Sequence, residues 1–205
     1  MKNQKSGKTR DRILAAASDL FSVGGLDAVT FDAVAEQLGV TKQAVLYWFP
    51  SKVALLSALA LPSLRGEAAA AIDAAVTASN PSEAAAAVVR AVTQYHLEDL
   101  ARFRLIYLSP QIGVTPGACQ TAGELVKQVH PITSEMYAAV AAAIGDGPTA
   151  RETAVALHMA ALGHALMVAL TDAIGDPLRH VPERLADRLT ELVATGAREQ
   201  MEDSP

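Results

Sequence analysis

The chain has 205 residues; 51% are apolar, only 4% are aromatic, and alanine alone makes up about a fifth. This length suits one large domain, or a small domain joined to a larger one, and the apolar share excludes a chain disordered throughout. Alanine in place of Val, Thr and Tyr favours closely packed helices and argues against a β-sandwich or barrel. The net charge of −5 would by itself argue against nucleic acid, but it is unevenly spread. Residues 1–52 carry seven basic and five acidic side chains (+2), and residues 53–205 carry ten and seventeen (−7). That asymmetry points to a small module that meets an anion, attached to a body that does not.

A single cysteine, Cys119, excludes an intramolecular disulfide and a cysteine-based zinc site, so a reducing cytoplasm is expected. No run of eighteen uncharged apolar residues occurs, and the basic, polar amino terminus lacks the apolar stretch of a signal peptide. The expectation is a soluble cytoplasmic protein with no membrane partner.

In chain order, a first helix reads from about Thr9 to Val23, with Ile13, Leu14, Ala17, Leu20 and Phe21 at helical spacing and Gly24-Gly25 as its stop. Thr30 caps a short helix from Phe31 to Leu38, which Gly39 ends; Thr41 caps the next, Lys42 to Phe49, closed by Pro50. Three short helices with a Gly-containing turn between the second and third describe a helix-turn-helix. Ser51 caps a fourth helix from Lys52 to about Thr77, with a kink or break expected at Pro62. Asn80-Pro81-Ser82-Glu83 starts the next helix, to about Leu100, and a shorter one runs to about Leu108. After a connection from Ser109 to Gly117, residues 118–144 read as a helix bent at Pro131. Thr149 and Glu152 form a capping box for a helix to about Ala173, and a last helix runs from about Pro182 to Met201. The whole is all-α, about nine helices, with a DNA-binding domain at 1–52 and a larger helical domain at 53–205.

The stretch Ile13–Leu56 resembles the tetracycline-repressor (TetR) family of bacterial transcription regulators. The resemblance lies in ILAAASDLF, the Gly-Gly turn with Ala28-Val29-Thr30, the segment VAEQLGVTKQAV, and Phe49-Pro50-Ser51-Lys52 followed by Ala54-Leu55-Leu56. Leu46 stands where many members have tyrosine. The resemblance implies a ligand-responsive repressor that is a homodimer, with a four-helix bundle built from the last two helices of each subunit.

The residues support the same reading by their chemistry. Lys42 and Gln43 are long enough to reach base edges in the major groove, where Gln pairs bidentately with adenine, and Ala44 offers an apolar contact to a thymine methyl. Tyr47, four residues after Gln43, shares its face and can bond a phosphate. Thr30, Thr41 and Lys52 lie at helix starts, where phosphate contacts position the module, and Trp48 lies at the rim. Lys5, Lys8 and Arg10 could add a basic arm. Val45 and Phe49 fall on the opposite face and read as core.

One such head makes few base contacts, so a dimer holding two at fixed spacing is expected on double-stranded operator DNA. The candidate interface lies on the last two long helices: Ala156, Ala160 and Gly163 permit close approach, and Leu185, Leu189, Leu192 and Val193 form a stripe. For an effector, His96, Leu100, Phe103 and Tyr107 would share a face if the helix were continuous. His130, Thr133, Met136 and Tyr137 form a second cluster, and His158, Met159 and Leu162 a third; a cavity of this kind suits a largely hydrophobic small molecule. No HExxH, Gly-rich phosphate loop or GxSxG is present, and His158 and His164, six apart, do not face one metal. No catalytic residue, metal or cofactor is therefore expected. The alternatives are a ligand-independent regulator or activator, and, from another class, an all-helical binding protein or an enzyme.

Overall fold

The computed structural model describes residues 2–108, 119–145, 147–175 and 181–202, all of them in helices and short connections. The helices are α1 (Lys2–Ala28), α2 (Phe31–Leu38), α3 (Lys42–Trp48), α4 (Lys52–Thr77), α5 (Pro81–Leu97), α6 (Leu100–Phe103), α7 (Cys119–Ile144), α8 (Ala150–Ile174) and α9 (Pro182–Glu202). A π-helical turn, Arg104–Leu108, continues α6. The chain divides into two compact units, residues 1–62 with 104–128, and residues 63–103 with 129–205. The sequence places the boundary after Lys52; by packing, the first unit extends to Pro62.

Caps set the ends of the short helices. Thr30 Oγ1 accepts from the Ala33 N–H (3.1 Å), Thr41 Oγ1 from Ala44 (3.2 Å) and Ser51 Oγ from Ala54 (3.1 Å). Gly39 closes α2 in the left-handed conformation (φ 64, ψ 36), a geometry that costs a side chain but not glycine. Gly25 interrupts α1 (φ 64, ψ −157), as the Gly-Gly stop predicts, but helix resumes to Ala28. The head core is apolar throughout: Ile13, Ala17, Val29, Val34, Val45, Phe49 and Leu55 are buried, with Phe21 and Trp48 packed at its edge. The Arg10 guanidinium lies 5.2 Å from the Phe49 ring centre, closing one side of that core.

Two sequence expectations need correction. Pro62 does not break α4, which runs on through it. Leu55, Leu56 and Ala58 before it and Leu64, Ala68 and Ala71 after it are all buried, so packing on both sides holds the helix against the local preference. The capping box at Thr149 does not form: Thr149 is already helical (φ −92, ψ −4), and its side chain caps nothing. A backbone turn opens the helix instead, with Ala150 N–H bonded to Gly147 O (3.0 Å). The reciprocal arrangement occurs at α5, where Asn80 Oδ1 accepts from Glu83 N–H and Glu83 Oε2 accepts from Ser79 N–H, both at 2.9 Å. As the sequence predicts, the helix breaks near Leu100: α5 ends at Leu97 and α6 starts at Leu100, so His96 and Tyr107 do not lie on one continuous helix.

In the body, alanines bring the helices together. Ala68, Ala71 and Ala75 of α4 pack with Ala85, Val88, Val89 and Val92 of α5, Met136 and Val140 of α7, and Ala154, Leu157 and Ala161 of α8. Small side chains allow helix axes to approach towards the lower end of the usual 8–10 Å. Gly66 permits a closer approach still. A Cβ there would lie 2.5 Å from the Tyr95 hydroxyl, which instead crosses α4 and donates to Ser63 O at 2.8 Å. Arg102 stacks over the Tyr95 ring at 4.1 Å and donates to Tyr95 O, fixing that side chain from the other side.

Candidate nucleic-acid interface

The α3 helix is anchored from beneath and open above. Val45 is fully buried and Phe49 nearly so, whereas Thr41, Lys42, Gln43 and Ala44 are exposed and Tyr47 is 80% exposed. A one-residue rotation would bury Gln43 or expose Val45, so the apolar anchor fixes which side chains face outward. Trp48 is half-buried on the head core and meets Tyr47 edge to face at 5.3 Å. The face offered to solvent thus combines a long amide, a methyl and a phenol, a set able to bond base edges, touch a thymine methyl and bond phosphate oxygens.

The two flanking lysines differ. Lys42 Nζ lies 2.8 Å from Asp32 Oδ2, with both side chains more than half exposed. Such a pair contributes on the order of 1 kcal/mol or less, so Lys42 can exchange Asp32 for a phosphate. Lys52 Nζ donates to Leu26 O (3.3 Å), leaving other N–H bonds for a second acceptor. Thr30 and Thr41 are exposed; as caps their hydroxyl oxygens accept, and their O–H groups remain able to donate. Lys8 is exposed, and the Lys5 side chain lies outside the described residues. Asp32 is an addition to the residues expected from sequence, although its place in the first turn of α2 is legible there.

Residues 13–59 match the family model for bacterial regulatory proteins of the tetR family. The head is a TetR-family DNA-binding domain. With it the chain carries the reading module of a DNA-binding transcriptional regulator. No curated protein matches the sequence. Among solved structures, regulatory protein SCO4313 shares the fold at a TM-score of 0.64 and 18% identity, over 93% of this chain and 97% of that one. A TetR variant from Acinetobacter baumannii AYE, solved with minocycline, gives 0.62 and 20% over 94% and 97%. FadR from Bacillus subtilis, solved with stearoyl-CoA, gives 0.60 and 15% over 90% and 97%. The TetR-like architecture therefore extends across the body as a likeness of fold.

Within that body, the seven effector candidates fall into different surroundings. His96, Phe103, Met136 and His158 are buried and Tyr137 is half-buried; His130 is exposed, and Tyr107, half-buried, belongs to the amino-terminal unit. His96, His158 and Tyr137 are brought together by a residue absent from the sequence expectations, Glu67 of α4. Its carboxylate is fully buried; Oε1 accepts from His158 Nε2 at 2.5 Å and Oε2 from His96 Nε2 at 2.9 Å. Tyr137 Oη lies 2.7 Å from His158 Nδ1. Burial alone would raise the Glu67 pKa, but hydrogen bonds from His158 and His96, together with their charge, lower it to about 2. Burial and the nearby Glu67 charge raise the Tyr137 pKa, so its hydroxyl stays protonated. The signal for Glu67 lies in the spacing of Leu64, Glu67, Ala71 and Ala75, which puts an acid on an apolar face.

Of the dimer candidates, Ala156, Gly163, Leu185 and Leu192 are exposed and Ala160 is half-buried, while Leu189 and Val193 pack against the body core. The α8 helix adds Met159 (66% exposed), Met167, Leu170 and Ile174 (77%) to that surface. By length and composition alone α4 and α8 are apolar enough to cross a membrane. In α8 the apolar excess is this outward stripe, and α4 carries the ionised Glu67 at mid-length.

Proposed function

We propose that the protein is a homodimeric, cytoplasmic transcriptional repressor that reads a near-palindromic operator and is released from it by a small molecule. The observation that carries this reading is the TetR-family head, with Gln43, Ala44 and Tyr47 exposed above a buried Val45. Thr30, Thr41, Lys42, Trp48 and Lys52 are proposed to seat that head on the backbone. The outward stripe of α8 and α9, with Ala156, Met159, Gly163, Leu170, Leu185 and Leu192, is proposed as the dimer face; exposed apolar side chains in such continuity are characteristic of an interface. Two neighbours of the same fold were solved with minocycline and with stearoyl-CoA, which supports a ligand-binding body here. Phe103, Met136 and Tyr137 are proposed to contribute an apolar wall for a largely hydrophobic effector. The family of the head is one of regulators rather than enzymes.

A gel shift with the DNA upstream of the protein's own coding sequence tests the reading. A specific band at low salt, competed by the same but not by random DNA, is expected, and its absence overturns the regulator. In sedimentation, Met159→Glu with Leu192→Glu is expected to give a folded monomer, because a carboxylate cannot be desolvated at an apolar face without a partner.

A further inference from the structure

We infer that Asp32 is a built-in competitor for DNA: its carboxylate occupies Lys42 in the free head, and DNA of any sequence must displace it to reach that lysine. The inference rests on the proposed role of Lys42 as a phosphate contact. Asp32 Oδ2 and Lys42 Nζ stand 2.8 Å apart, joining the first turn of α2 to the first residue of α3. These are the two helix starts capped by Thr30 and Thr41, on which the head is proposed to rest against the backbone. A carboxylate and a backbone phosphodiester are both oxyanions of one negative charge, so they compete for the same ammonium.

Local electrostatics explain why the pair forms. The helix dipole favours an acid in the first turn, and Asp32 has that place in α2. It disfavours a cation there, and Lys42 opens α3, whose own first turn holds no acid. Asp32 thus supplies from α2 the negative charge that α3 lacks. The pair lies outside the head core. Asp32 is 71% and Lys42 52% exposed, and the buried Val34 and Val45 anchor α2 and α3 without them. An open pair of this kind adds little to stability, so a phosphate can take its cation without unpacking anything. Displacement leaves Asp32 negative beside the DNA backbone, with its lysine engaged elsewhere. The lost pair and the new repulsion both count against binding, and neither depends on base sequence. Asp32 therefore holds down affinity for random and operator DNA alike, and leaves Gln43 and Ala44 to provide the difference between them.

The test compares the wild type, Asp32→Asn, Lys42→Ala and the double variant. Their affinities are measured at one ionic strength for the upstream DNA and for a random-sequence duplex. Asparagine keeps the size of Asp32 and removes its charge, and an unchanged Tm checks the fold. Asp32→Asn should bind both DNAs about three- to fivefold more tightly, the scale of an exposed ion pair, with their ratio unchanged. In the Lys42→Ala protein the same substitution should gain less than about twofold, because no lysine is left to release. Equal gains with and without Lys42 would overturn the inference, since Asp32 would then repel DNA without competing for Lys42. Weaker binding by Asp32→Asn would also overturn it, and would make the pair a support for the DNA-binding pose of Lys42. If Lys42→Ala alone leaves affinity for random DNA unchanged, it is the phosphate-contact role of Lys42 that fails.

Discussion

On α3 of the head, Val45 is buried and the polar Lys42, Gln43 and Tyr47 face solvent; in the body, Glu67, His96 and His158 are buried against one another. The first arrangement is built from residues a few positions apart, and its polar atoms are open to a partner. The second joins residues 29 and 91 positions apart, and its carboxylate and two Nε2 nitrogens already hold each other. In the head a substitution should change what is recognised, whereas in the body it should change how the fold is held. The expected effects differ accordingly in size.

The largest falls on the body. His158→Ala removes one of the two donors to a buried carboxylate, and breaking such a pair typically costs about 3–5 kcal/mol. Chemical denaturation should show that loss; a change below about 1 kcal/mol would place Glu67 in water and dissolve the contrast. Acid should find the same weakness. The Glu67 pKa is lowered on folding, so its contribution is fully present above its unfolded value of 4.5 and disappears as the pH falls through the folded value of about 2. Stability measured from pH 6 downward should fall through this window more steeply for wild type than for Glu67→Gln.

Smaller effects belong to the head. Gln43→Ala should leave the fold intact and lose about 1–3 kcal/mol of discrimination at one base pair, read from affinities for operator variants. Lys42→Ala should weaken specific and random DNA alike and reduce the salt slope of log K by about one, with stability changed by less than about 1 kcal/mol. Loss of base discrimination by Lys42→Ala would reassign it from the backbone to a base edge.

This same division explains what the sequence discloses. In the head, Thr30, Gly39, Thr41 and Ser51 punctuate helices whose apolar residues repeat at 3.6 spacing, so helix ends and the outward face of α3 follow from local pattern. In the body, alanine occupies inward and outward positions alike and blurs the pattern. His96, Tyr137 and His158 stand out as unusual, but nothing local indicates that they meet at Glu67, because only packing brings α4, α5, α7 and α8 together. Pro62 and Thr149 mislead for a related reason: burial on both sides of Pro62, and a backbone turn before Ala150, outweigh the local preference.

The close passage of Tyr95 over Gly66 bears on how this chain can change over generations. Any side chain at 66 meets the phenol oxygen at 2.5 Å, so the position is closed while Tyr95 remains; a smaller residue at 95 opens it but surrenders the bond to Ser63 O and the ring beneath Arg102. Position 66 is therefore free to vary only once Tyr95 has changed. Among descendants of this sequence, tyrosine at 95 should be accompanied by glycine at 66, and a side chain should appear at 66 only in lineages that have already lost Tyr95.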